Sequence, residues 1–140
     1  MQLRFKILIF ALCSAVLFSC KEKVQEEPKT EIPEDFVEFY NLFHTDTTYQ
    51  LDHIHFPLEG MPALSPDSDL QGFSFWWERE GWKIHKPFDD NGGTFNRAFS
   101  NFAGIITETI SDDSGHFSMM RRFSKMNGEW MLIYYKEMGR

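Results

Sequence analysis

The sequence is poor in cysteine and poor in positive charge. Two cysteines among 140 residues cannot staple a disulfide-dense mini-protein. Basic side chains number 14 against 21 acidic ones, a net charge of -7. That balance argues against a nucleic-acid binder, which needs a basic patch to release counterions. Phosphate-cradling glycine loops, nucleophile elbows and Walker-type motifs are missing. The length leaves no room for a two-domain enzyme. Aromatic residues are abundant: 15 Phe, 4 Trp and 4 Tyr in a chain that is 42% hydrophobic, too apolar for disorder.

The longest apolar run lies near the N-terminus, from Ile7 to Phe18, interrupted by Cys13 and Ser14 and preceded by Arg4 and Lys6. Its length of about 12 residues is short for roughly 30 Å of hydrocarbon, which points to a leader over residues 1–19 rather than a transmembrane helix. Leu17-Phe18-Ser19-Cys20 resembles the lipobox of bacterial lipoproteins. The resemblance implies cleavage before Cys20 and acylation of that cysteine by chains of the palmitate type, hence a membrane anchor. Several acyl chains exceed the threshold for stable anchoring. Lys21 after the cysteine looks like an outer-membrane address. Glu22, Glu26 and Glu27 loosely resemble a surface-export signal, so the periplasmic and the external face both stay open.

Losing Arg4 and Lys6 with the leader leaves 12 basic against 21 acidic side chains, a charge of -9. Cys13 leaves with the leader and Cys20 is consumed by lipid. No thiol then remains for a disulfide, a metal or nucleophilic catalysis. Residues 20–32 are charged and interrupted by Pro28, which reads as a flexible tether. Residues 33–140 are left as one domain.

Pro33 with Glu34 and Asp35 is a helix start, and Phe36, Phe39, Tyr40 and Phe43 recur at helical spacing as a core stripe. Residues 49–58 alternate as a strand does, and residues 60–71 read as a loop. Strands are expected at 73–77 and 82–85, around a Glu-Arg-Glu-Gly turn. Asp89 to Gly93 is a loop. Phe95, Phe99 and Phe102 stand at i, i+4 and i+7, which favours a short helix. Residues 104–110 are β-rich, and Asn127-Gly128 marks a hairpin between 116–126 and 129–136. A two-residue turn pairs Phe123 with Leu132, Lys125 with Trp130 and Arg121 with Tyr134. Met120, Met131, Ile133 and Tyr135 then lie on the other face. With both faces apolar, either helices cover one while the other meets a partner, or the sheet curls around its own interior.

Helix, strands and a final meander carrying Gly128, Trp130 and Leu132 resemble the nuclear transport factor 2-like cone. Phe36 to Gln50 running into His55-Phe-Pro-Leu58, together with Met120 to Trp130, is similar to an uncharacterised family of small bacterial lipoproteins with that fold. The resemblance spans most of residues 33–137. It implies an α+β domain, a curved antiparallel sheet packed against an N-terminal helix and a short second helix. It brings no established activity, and the cone of this fold is variously a ligand cavity, an enzyme pocket or packed shut.

Several residues are chemically suggestive. His53 and His55, two apart on the expected strand, suit a metal if His44, His85, His116, Asp46 or Asp52 converge on them; the competing reading is the polar face of an edge strand. Glu108 between Ile106 and Ile110 suits a general acid or base with a raised pKa, unless Arg121 or Arg122 on the next strand neutralises it in a structural ion pair. Trp76, Trp77 and Trp82 can form a stacking platform for a sugar, or close a core. Asp89 to Gly93 and Asp112 to Gly115 lack the twelve-residue pattern of a Ca²⁺ loop and read as turns. No cofactor is called for. The function that emerges is a lipid-anchored, non-catalytic module binding a small molecule, peptide or envelope partner, with Trp76, Trp77, Trp82 and Arg121 as candidate contacts. A homodimer through the C-terminal sheet face is a further expectation. The alternative is a cone-pocket hydrolase or isomerase using Glu108 with a histidine such as His53 or His55.

Overall fold

Aromatic spacing and a proline start build the first element. The computed structural model describes residues 31–63 and 75–139; the expected leader, Cys20, most of the expected tether and residues 64–74 of the expected loop and strand lie outside them. Helix α1 (Glu34–Thr45) follows Pro33 and buries Phe36, Phe39, Tyr40, Phe43 and His44, one apolar stripe of a 3.6-residue period. Asp46 ends it in an extended conformation and caps the next helix, α2 (Thr47–Asp52), its carboxylate accepting from the Tyr49 N–H at 3.0 Å.

Helix α2 corrects the strand expected over residues 49–58. The alternation there is real, but local capping by Asp46 and the demands of Gln50 override it. Gln50, 1% exposed, donates from Nε2 to the carbonyls of Phe43 and His85 and accepts at Oε1 from the His85 N–H and Trp82 Nε1. A buried carboxamide is tolerated only when so satisfied.

Strands β1 (Leu58–Met61), β2 (Phe75–Trp77), β3 (Phe95–Phe102), β4 (Ile105–Asp112), β5 (Ser118–Met126) and β6 (Glu129–Gly139) form one sheet in the order β2-β1-β6-β5-β4-β3. Every pairing is antiparallel except β1 with β6, so the sheet is mixed and stays open, with α1 on one face. That resolves the two-faced hairpin: the helix covers Phe123, Trp130 and Leu132, while Met120, Met131, Ile133 and Tyr134 remain partly exposed. Phe36 sits at the centre of the core, its ring 5.4 Å from that of Phe123 and 5.1 Å from that of Trp130.

Three further corrections follow from tertiary pairing. Residues 82–85 are not a strand; the Gln50 clamp holds them instead. Phe95, Phe99 and Phe102 lie on β3, not on a helix, because all eight β3 residues pair with β4. Phe95 and Phe99 share one face by their even spacing, and Phe102 points to the other. Between β5 and β6, Phe123 faces Leu132 and Lys125 faces Trp130 as expected, but Arg121 faces Tyr135 rather than Tyr134. Ile133 is an extra residue, a bulge that re-aims Tyr134 to Lys136 and turns Tyr135 inward.

The β5–β6 and β3–β4 hairpins use two-residue turns with positive φ at each position, Asn127-Gly128 (53° and 89°) and Ala103-Gly104 (51° and 80°). Asn-Gly suits that geometry; an alanine in the left-handed region is strained. Ala103→Gly is expected to stabilise the domain by roughly 1 kcal/mol, read as a higher urea midpoint at unchanged slope. A lower midpoint would contradict this account of the turn.

Candidate functional site

Glu108 and Arg121 face each other across β4 and β5, in inward rows that otherwise hold Ile106, Ile110 and Phe123. Cross-strand pairing thus drives two charges into the core. The Arg121 Nε donates to Glu108 Oε2 at 2.7 Å, with side-chain exposures of 3% and 0%. Such a pair survives burial only when its remaining donors and acceptors are also met. Helix α1 supplies the first partner: the Tyr40 hydroxyl donates to Glu108 Oε1 at 2.5 Å. Arg121 Nη2 reaches that hydroxyl oxygen at 3.4 Å.

Two histidines complete the cluster. Arg121 Nη1 lies 2.7 Å from His44 Nε2 and 3.1 Å from His85 Nδ1. A guanidinium only donates, so both ring nitrogens facing it carry lone pairs. The proton of His44 then sits on Nδ1, which donates to the Tyr40 carbonyl at 2.8 Å. Burial, reinforced by the Arg121 charge, pushes His44 down to about 4 and His85 down to about 3. Burial also raises the Tyr40 hydroxyl well above its usual value and pushes Tyr135 up to about 12.

Arg97 on β3 stands at the edge of this group. Its guanidinium lies over the rings of Phe88, Phe99 and Tyr40 at 4.8, 5.2 and 5.7 Å, close enough for cation–π attraction. A cavity of about 360 Å³ opens above the cluster, lined by Ile84, His85, Phe88, Ile110, Met119 and Arg121 among others. A second, of about 320 Å³, runs between α1 and β3 past Tyr40, Arg97 and Phe99. A third, of about 210 Å³, is walled by Trp77, Trp82 and Tyr135 and also touches His85.

The residues singled out from sequence are only partly gathered here. Glu108 and Arg121 form the ion pair named as the competing reading. His53 and His55 are not on a strand: the His53 ring stacks on Tyr49 at 3.7 Å, its Nδ1 bonded to the Tyr49 carbonyl, and His55 is exposed. Asp46 caps α2, and Asp52 pairs with Arg79 at 3.1 Å. Among the described residues no three His, Cys, Asp or Glu side chains converge as a metal site. Trp77 and Trp82 meet edge to face at 6.3 Å and 85°, whereas Trp76 is exposed and points away from its strand neighbour. The three do not make one platform. Asp89, Asp90 and Asp112 accept from nearby backbone N–H groups, as turn residues do. Tyr40, Arg97 and Gln50 are the unforeseen members, and His85, named from sequence as a metal-ligand candidate, meets Arg121 instead. His44 was legible as the next step, four residues on, of the Tyr40 stripe.

The sequence matches no family model and no curated protein. Among solved structures, it is similar to a nuclear transport factor 2-like protein from Bacteroides fragilis, with a TM-score of 0.51 and 22% identity over 79% of this chain. The fold is nuclear transport factor 2-like. The chain spans about half of that protein, 48% of its length. A protein of the same fold and unknown function from Shewanella baltica aligns at 15% identity and a TM-score of 0.41, over 74% of this chain and 90% of its own. One from Cytophaga hutchinsonii aligns at 11% and 0.38, over 73% and 89%. At these identities the likeness concerns the nuclear transport factor 2-like fold alone.

Glu108→Ala leaves a buried guanidinium unpaired, and the expected loss is about 3–5 kcal/mol by urea denaturation; a loss under about 1 kcal/mol would mean water reaches Arg121. The histidines impose a pH dependence. Both stay neutral in the folded state and take up protons on unfolding, so stability is full above about pH 6.5 and falls as the pH drops toward 4. The slope is up to about 1.4 kcal/mol per pH unit for each ring. Denaturation at pH 7, 6 and 5 reads it, and the double variant His44→Gln, His85→Gln is expected to flatten it.

Proposed function

We propose that this chain is a lipid-anchored binding module of the bacterial outer membrane, and that its ligand is a small, mainly apolar molecule with one polar group. The anchor rests on Leu17-Phe18-Ser19-Cys20 and the following Lys21. The ligand class rests on the cavity beside His85 and Arg121, whose walls are mostly apolar with His85, Lys86, Asp89 and Arg121 as the polar exceptions. A concave apolar site with few polar groups is the usual form of a small-molecule pocket.

One observation favours binding over catalysis. The lone pairs of His44 Nε2 and His85 Nδ1 are aimed at Arg121, and Glu108 is held by Arg121 and Tyr40. A general base needs a free lone pair within reach of substrate, whereas here both imidazole lone pairs face Arg121 and each oxygen of the buried Glu108 already accepts a bond. The hydrolase or isomerase reading would require the ion pair to open first.

Mass spectrometry of the chain purified gently from cell envelopes tests both parts. The expected spectrum shows acyl groups on Cys20 and a non-covalently bound small molecule, with the latter lost from Met119→Trp, which fills the cavity. An unacylated Cys20 would refute the anchor. A bound molecule retained by Met119→Trp would refute this cavity as its site.

A further inference from the structure

Apolar side chains on the described surface are mostly half-covered, with one exception. Phe102 is 83% exposed, and the next, Trp76, is 49%. Phe102 stands at the end of β3, paired across the tip with Ile105, itself 37% exposed. Cross-strand partners point to the same face, so the two side chains project together. The tip Asn101-Phe102-Ala103-Gly104-Ile105 carries no charge. It is presented by a strained turn, with positive φ at Ala103 and Gly104. An uncharged turn displaying an aromatic and a β-branched side chain is costly in water, because apolar surface gains free energy when it is taken out of water.

The position of the tip says what covers it. The Nδ2 of Asn101 donates to the Glu31 carbonyl at 3.1 Å, so the tip is joined to the first described residue of the chain. Ten residues, 21–30, separate Glu31 from Cys20. Even fully drawn out, they place the acylated cysteine within about 40 Å. A lipid on Cys20 would therefore pull on the β3–β4 tip itself, through Asn101, whose side chain lies on the opposite sheet face from Phe102.

We propose that the β3–β4 tip docks into the lipid bilayer that holds Cys20, with Phe102 and Ile105 seated at the boundary between headgroups and acyl chains. This rests on the lipid-anchor reading. Tethering makes the second contact intramolecular, so a weak apolar site is enough. Docking at this corner would fix how the domain stands on the membrane and hold the cavity beside His85 and Arg121 in one orientation. Glu31 and Glu34 lie at the same end, where Asp35 is neutralised by Lys125, so the site suits zwitterionic rather than anionic lipid.

The test uses the acylated chain, carrying Phe102→Cys or, as comparison, Leu42→Cys on the exposed side of α1, each labelled with an environment-sensitive fluorophore. The chains are reconstituted in phosphatidylethanolamine–phosphatidylcholine vesicles containing quencher-bearing lipids. Quenching and a blue shift several-fold stronger at position 102 than at 42 are expected, weakening when phosphatidylglycerol is added. Equal quenching at both positions in a chain that mass spectrometry shows to be acylated overturns the docking alone. An unacylated chain overturns the reading beneath it. A shift at 102 that grows with protein concentration without lipid overturns it in favour of a second copy of the chain.

Discussion

The ion pair between Glu108 and Arg121 is the constraint around which the inner half of this domain is arranged. Two charges withdrawn from water lose several kcal/mol of hydration each, and their mutual attraction offsets that only if every other donor and acceptor is met. The requirement reaches far along the chain. Tyr40 and His44 on α1, 68 and 77 residues from their partners, and His85 on an irregular segment all supply the missing contacts. A helix, a loop and two strands are thereby locked to one point by directional bonds, where hydrophobic packing alone would leave them free to slide.

Two devices make that convergence possible. Gln50 spends all four of its hydrogen bonds on the carbonyls of Phe43 and His85, the His85 amide and the Trp82 indole, and so holds a segment with no strand or helix of its own. The bulge at Ile133 rotates the end of β6 inward, setting the Tyr135 ring 4.6 Å from His85 and 5.3 Å from Trp77. Around this polar centre the aromatic core does the ordinary work of a small domain without disulfides, interlocking Phe36, Phe39, Phe43, Phe123 and Trp130 at ring distances of 5.1 to 6.5 Å.

Much of the frame was legible because it is local. The stripe of α1 follows from side chains every third or fourth residue, and the last hairpin follows from Asn127-Gly128. The misread segments share a cause. Residues 49–58 alternate and residues 95–102 show helical spacing, yet Asp46 capping and the pairing with β4 decide otherwise. Ala103-Gly104 is not the usual sequence of such a turn, so its hairpin carried no local mark. An arginine partner for Glu108 was legible on the neighbouring strand, but Arg121 and Arg122 were both open, and the pairing of β4 with β5 selects Arg121.

By itself, then, the sequence determined the aromatic core, the α+β class, the terminal hairpin and that an arginine of the next strand stands near Glu108. All of these depend on residues near one another in the chain or in one hairpin ladder. Only the tertiary structure decided which histidines join that partnership, that their bare nitrogens face a guanidinium, and that a cavity opens beside them. Those outcomes rest on contacts between residues dozens of positions apart, on a one-residue bulge and on a single buried glutamine. Neither spacing nor composition records such contacts.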